Sequence, residues 1–361
     1  MTMHIPTEPI GSIPRPTELV QGLAAFSSGS IDARELDVLF ERALTDTLRR
    51  LEATGSPVIT DGEQTKPSFA TYPIHGSQQL DPNGIVIPFK DGHTRQLPKL
   101  NGGPFHYQNY ASDYYKRASA MTRLPLKQAV ISASALSLLY PAEGIDGYSR
   151  EAFLADLYTE QVKDIQACLA AGAENVQIDF TEARLSLKLD PSKGLLRAFI
   201  DINNDVLNLL TPAQRQKVGV HSCPGGDHDS THSADIPYSE LLPLLFELNA
   251  TNFYLEYAGE YQKQPILEVI KASMRPGQRV FLGVIDVLSP RIETPNEVRD
   301  LILQAVEYVP VAQLGTTDDC GFSPFADDQS TSREIAFEKI KARVEGTRLA
   351  EKALEKTQVA I

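Results

Sequence analysis

The residues best suited to chemistry in this chain are His221 and Cys223 in a short His-Ser-Cys run, Glu256, and Cys320. Residues i and i+2 of a strand share a face, so His221 and Cys223 can point to one place. One imidazole, two thiols and one carboxylate match the ligand preferences of zinc (Zn2+). Soft sulfur argues against magnesium or calcium. Taken alone, an H-x-C pair is also what a hydrogen-bonded core histidine beside a small buried cysteine looks like. The chain has no C-x-x-C pair, so a purely structural zinc finger does not fit. Cys168, the third cysteine, lies in DIQACLAAGAENV, an amphipathic helix pattern, and reads as core.

The elements that must position these groups recur along the chain. Short β-rich runs occur at 57–60, 126–132, 175–180, 217–222, 252–258, 279–285 and 311–317, with a weaker eighth at 9–13. Helical patterns separate most of them, at 32–55, 149–173, 238–250 and 295–309, and 332–356 reads as a long closing helix. Strands alternating with helices imply βαβ units and a parallel sheet. Eight of them predict an α/β fold, a closed (β/α)8 TIM barrel, with a doubly wound open sheet as the alternative. Residues 70–122, rich in Gly, Pro and Tyr, break the alternation and predict a β-rich insertion after the second strand. The whole of 1–361 otherwise reads as one domain. In such a barrel the active groups project from the C-terminal ends of strands. His221 and Cys223 end the fifth strand, Glu256 is on the sixth, and Cys320 follows the eighth. That placement favours a shared metal over the core reading.

Composition narrows the partners. Of the 361 residues, 42% are hydrophobic, and 34 basic against 47 acidic side chains give a formal charge of −13. An acidic surface repels nucleic acid and anionic membranes. No apolar run approaches the ~20 residues that span a bilayer. The N-terminal MTMHIPTEPIGSIPRP lacks a basic start followed by an apolar stretch, so the expected compartment is the cytoplasm.

Further motifs accompany the four candidate ligands. They are Ile10-Gly11-Ser12, Asp61-Gly62-Glu63, Ile178-Asp179, Tyr254-Leu255-Glu256, Asp286 with Ser289-Pro290-Arg291, and Asp319-Cys320-Gly321. In order and spacing the set resembles the catalytic half of cobalamin-independent methionine synthase, within the superfamily that includes uroporphyrinogen decarboxylase. The resemblance implies a barrel with zinc bound by His221, Cys223, Glu256 and Cys320, and a thiol substrate coordinating the metal. It also implies that Ile10, Gly11, Ser12, Glu63 and Asp179 hold the amino-acid end of homocysteine, and that Asp286 belongs to the catalytic set. The chemistry agrees: the thiolate is the nucleophile, and a metal removes the thiol's proton at neutral pH. The products expected are those of a thiol methyl- or alkyltransferase.

The chain also departs from that family. The full-length enzymes carry an N-terminal barrel half that helps bind polyglutamyl folate, for which there is no room here. The family's histidine two residues after the aspartate is replaced by Leu288. After Glu63 the chain reads Gln64-Thr65-Lys66-Pro67, and Lys66 would suit a sulfonate or carboxylate thiol, as in the related epoxyalkane–coenzyme M transferases. The polar loop 224–233 brings His228 and His232, candidates for the proton relay that Leu288 cannot supply. His75, His93 and His106 in the insertion read as exposed side chains. The donor stays open between methylcobalamin on a corrinoid carrier protein, a short-glutamate folate and a small electrophile. A metal-independent decarboxylase or lyase of the same superfamily, or a zinc-storing protein, are the other readings.

Overall fold

The computed structural model describes residues 4–359. In chain order the strands are β1 (Leu80–Asp81), β2 (Val86–Pro88), β3 (Thr94–Gln96), β4 (Lys99–Leu100), β5 (Gln128–Ile131), β6 (Val176–Asp179) and β7 (Val218–Ser222). They continue with β8 (Gly226–Asp227), β9 (Ser230–Thr231), β10 (Asn252–Leu255), β11 (Arg279–Gly283) and β12 (Leu314–Thr317). A six-stranded parallel sheet runs β12-β11-β10-β7-β6-β5. Its strands are buried almost end to end, as a sheet covered on both faces requires.

Two further segments close this sheet into a ring. Thr7 bridges Thr316 of β12, and Ile59 bridges Leu126 ahead of β5, both in parallel. The two segments meet each other where Ile13 N donates to Gly62 O (3.0 Å) and Thr60 Oγ1 donates to Gly11 O (2.8 Å). The eight-fold α/β barrel expected from the sequence is therefore present. The first segment pairs at Thr7 rather than over 9–13, and the reason is local. Pro6 and Pro9 lack N–H groups, so only Glu8 N donates to Thr316 O (3.0 Å) while Thr316 N returns to Pro6 O (2.9 Å).

Capping fixes where the outer helices start. Asp32 and Thr294 close capping boxes on Ala33–Ala53 and Pro295–Ala305, and Ser149 caps Arg150–Ala170. The expected insertion is also present. It carries two antiparallel pairs, β1 with β4 and β2 with β3, and then a helix, Ala111–Ser119. Among the described residues no helix is long and apolar enough to cross a membrane.

The barrel interior is partly polar. Lys127 Nζ donates to Gln177 Oε1 (2.8 Å), lies 3.9 Å from the Tyr254 ring centre, and approaches the Glu8 carboxylate at 3.8 Å. Burial pushes the Lys127 ammonium down to about 8 from an ordinary 10.5, against the pull of Glu8. Between those values the unfolded chain holds a proton that the native chain does not. Stability attributable to Lys127 therefore rises with pH across that window. Urea unfolding at stepped pH is expected to show a gain of up to ~3 kcal/mol between about pH 8 and 10. That increment should be missing in Lys127→Met; parallel curves for the two proteins would refute it.

Candidate metal centre and thiol recess

Strand register sets the site. Asp179 of β6, His221 of β7 and Tyr254 of β10 stand side by side across the sheet. Glu256 follows β10, Cys320 follows β12, and Glu63 follows the segment at Ile59, so all project at one end of the barrel. His221 Nδ1 lies 3.1 Å from the Tyr254 carbonyl oxygen, which accepts from its N–H. That contact leaves Nε2 as the electron-pair donor, and Nε2 is buried with no hydrogen-bond partner. The ligand atoms of His221, Cys223 and Cys320 all lie within 4.8 Å of one another. The two sulfurs are 2.8 Å apart and both cysteines are free thiols. A buried, unpartnered imidazole nitrogen facing two buried thiols fits a thiophilic ion such as zinc. The Cys320 thiol is drawn well below its ordinary value, first by the hydrogen bond from Cys223 and then by His221. Burial, followed by Cys320, pushes Cys223 up. The pair thus holds one proton more loosely than two isolated thiols would.

Glu256 lies outside that three-atom cluster. Its carboxylate is held by Arg184 Nη1 at 3.0 Å, and the same nitrogen reaches Glu260 at 2.5 Å. Arg184 is buried and also donates to the Ile236 carbonyl oxygen (2.7 Å). Sequence reading missed this residue. The available signal was an arginine in a helix, Glu182–Leu189, whose other positions are mostly buried.

Beside the cluster is a narrow recess lined by Ile10, Gly11, Ser12, Glu63, Asp179 and His221, with Cys320 at its wall. At about 30 Å³ it admits a water but not an amino acid. Glu63 sits at φ +54°, just after Gly62 at φ +65°. A left-handed non-glycine backbone costs on the order of 1 kcal/mol. Here it is held by Arg15 Nη2 donating to Glu63 O (2.7 Å) and by Glu63 N donating to Asp61 Oδ1 (2.9 Å). Lys66 is buried behind Glu63, bonded to its carboxylate (3.1 Å) and to Ala129 O (2.9 Å), and does not line the recess. Burial opposes its charge, but Glu63 and then Asp61 raise its pKa.

The other candidate residues lie apart from the recess. Asp286 lines a separate depression with Ala258 and Ser289, where its Oδ1 accepts from Leu288 N (2.9 Å). His228 is partly exposed, with Nε2 3.2 Å from Arg95 Nη2 and Nδ1 3.7 Å from Asp328. His232 is buried, and burial followed by Lys188 lowers its pKa to about 4. His93, expected to be exposed, is instead half-buried between Asp91 (2.6 Å) and Asp227 (3.0 Å). His106 lies 3.2 Å from Glu160, and His75 is exposed.

Sequence reading also missed a cavity of about 640 Å³, which shares Phe69, Thr181, Gly225 and Gly226 with the recess. The β2–β3 hairpin of the insertion forms one wall. Arg95 of that hairpin clasps Asp227 (2.5 and 3.0 Å) and Asp327 (2.9 and 3.0 Å), tying the insertion to the loops after β7 and β12.

A (β/α)8 barrel with an imidazole–dithiol cluster at the C-terminal end of its strands places a possible metal site where barrel enzymes carry their active groups. The family model for the cobalamin-independent synthase catalytic domain matches residues 5–337. The chain belongs to this cobalamin-independent methionine synthase family. It is 24% identical to a methionine synthase of Sulfurisphaera tokodaii over 352 residues, 97% of this chain and 94% of that one. It is 23% identical to the 5-methyltetrahydropteroyltriglutamate–homocysteine methyltransferase of Trichodesmium erythraeum, over 88% of this chain but 40% of that longer protein. Among solved structures, a B12-independent methionine synthase from Shewanella sp. W3-18-1, in complex with selenomethionine, superposes with a TM-score of 0.76. That likeness is at 22% identity and covers 98% of this chain and 99% of the other.

Proposed function

We propose that this chain methylates the sulfur of homocysteine, with zinc held by His221, Cys223 and Cys320 and with Glu256 as the fourth protein ligand. The observation that carries the reading is the pairing of the sulfur–imidazole cluster with an adjoining recess whose charge suits an amino acid. Zinc bound there would acidify a coordinated thiol so that it is a thiolate at neutral pH.

The protein groups define the substrate's other end. Glu63 and Asp179 carry two negative charges and Lys66 one positive charge, which leaves −1 to balance an ammonium group. Backbone around Gly11 and Ser12 is available to a carboxylate. Lys66 is committed to Glu63 and Ala129, which weighs against a sulfonate thiol such as coenzyme M. The unpartnered His221 Nε2 weighs against a metal-free decarboxylase. The names of the relatives, methionine synthase and homocysteine methyltransferase, support the same substrate. The donor is one other than polyglutamyl folate, because Leu288 stands where the family's proton-relaying histidine is expected. Asp286, His228 and His232 are the candidate groups for assisting its departure, and of these His232 alone borders the large cavity.

Zinc-edge X-ray absorption tests the reading. The loaded protein is expected to show two sulfur ligands, becoming three when homocysteine is added. A sulfur count that stays at two, or a protein that binds no zinc, refutes it.

A further inference from the structure

The hydrogen bonds behind the recess run on into the barrel. Gln177 and Asp179 are two residues apart on β6, so their side chains share a face. Gln177 Nε2 donates to Asp179 Oδ1 (2.7 Å), and Gln177 Oε1 accepts from Lys127 Nζ (2.8 Å). Lys127 stands just ahead of β5, the neighbouring strand. Beyond it, Glu8 accepts from the Tyr254 hydroxyl (2.7 Å) and from Asn175 Nδ2 (2.7 Å). Gly219, opposite Gln177 on β7, makes room for this arrangement. A Cβ there would lie 2.5 Å from the Tyr254 ring, whose centre is 3.9 Å from Lys127 Nζ.

The chemistry of the two ends fixes how the amide lies. An ammonium donates and never accepts, so the atom of Gln177 that meets Lys127 must be Oε1. The N–H side is then turned to Asp179, where it favours the ionised carboxylate. Lys127, Gln177, Glu8 and Asp179 are all buried. Apolar residues of the same size would fill the barrel at lower cost, but would leave Asp179 Oδ1 without its donor.

We infer, on the reading of the thiol as homocysteine, that Gln177 and Lys127 are positioning residues for its ammonium group: Lys127 sets the sense of the Gln177 amide, and the amide holds the Asp179 carboxylate in place at the recess. Neither residue lines the recess, so both act through Asp179. Glu8, 3.8 Å from Lys127, balances the lysine's charge. Losing that charge alone would leave Glu8 in excess and favour an ammonium; losing the amide's fixed sense does the reverse.

The test is calorimetric titration of the zinc-loaded full chain with homocysteine and with 4-mercaptobutanoate, which lacks the ammonium. A hydrogen bond to an ionised group is worth ~10-fold or more in binding. Gln177→Met, close in length but without a hydrogen-bonding amide, should weaken homocysteine ~10-fold and leave 4-mercaptobutanoate within about twofold. Lys127→Met should weaken homocysteine ~3-fold, because the amide is freed to turn. Added to Gln177→Met it should weaken homocysteine no further, since its effect passes through the amide. That double variant removes donor and acceptor together, and should show the same selective ~10-fold loss if either single variant fails to fold. Zinc-edge spectra of the variants should still gain a third sulfur at saturating homocysteine, which a damaged metal end would not allow. A preference for homocysteine that survives Gln177→Met and the double variant, equal weakening of both thiols, or a Lys127→Met loss of the same size in both backgrounds would overturn the proposal. If neither thiol binds the unaltered zinc-loaded protein, the homocysteine reading fails and takes the positioning role with it. If homocysteine is preferred there and the preference ignores Gln177, the positioning role alone fails.

Discussion

Cys320→Ser is expected to strip zinc from the protein, taking its content after dialysis from about one ion per chain to under about a tenth. Loss of a partner that merely orients a ligand weakens metal binding ~10–100-fold. Loss of a ligand itself should exceed that, at ~10³-fold or more. The hydroxyl is a poor substitute because it remains protonated near neutral pH, whereas the Cys320 thiol is already drawn down by Cys223 and His221. The substitution is small, and Cys320 sits in a loop after β12, so the barrel should unfold at nearly the same urea concentration as the zinc-free unaltered protein. Cys168→Ser provides the contrast. Cys168 is buried in the helix Arg150–Ala170, away from the cluster, and its loss should leave metal content unchanged. Mass-spectrometric metal analysis of both variants decides the matter. Full zinc occupancy in Cys320→Ser would remove the site from contention. Methyl transfer should fall with metal content, since without the ion most of a thiol of ordinary pKa stays protonated at neutral pH.

The parts of this design visible in the sequence are those written in short-range patterns. The spacing of His221 and Cys223 is a strand period, and β7 holds the histidine and ends at Ser222, one residue before the cysteine. The alternation of strand and helix runs announces a barrel, because each pattern is satisfied by its own neighbours. Closure at Thr7 is displaced from 9–13 because two prolines decide which N–H groups exist. What could not be read depends on partners distant in sequence. Arg184 holds Glu256 Oε2 across 72 positions, a partner that no pattern around Glu256 announces. Lys66 looks available to substrate until the fold sets it behind Glu63. The large cavity exists because a hairpin near residue 90 lies over loops near 226 and 326, clasped by Arg95. No local periodicity encodes that contact.

Asp179→Asn is expected to raise the Michaelis constant for homocysteine by ~10²-fold while changing turnover far less. The charge at the recess explains why. Glu63 is already paired with Lys66 at 3.1 Å, so the carboxylate left to balance an ammonium is Asp179. Its side chain accepts from Gln177 Nε2 (2.7 Å) and is only 6% exposed. A buried cation deprived of its counter-charge costs a few kcal/mol, and ~3 kcal/mol corresponds to the change expected. Glutamine at 63 should do less to the net charge felt by substrate, but would leave Lys66 unpaired in the interior and show itself chiefly in stability. The decisive comparison is with 4-mercaptobutanoate, which keeps the thiol and carboxylate of homocysteine and lacks the ammonium. Asp179→Asn should bind it as well as the unaltered protein or better, so that the preference for homocysteine collapses. Equal losses for both thiols would mean that Asp179 shapes the metal end of the recess, through its neighbour His221 in the sheet, and not the amino-acid end.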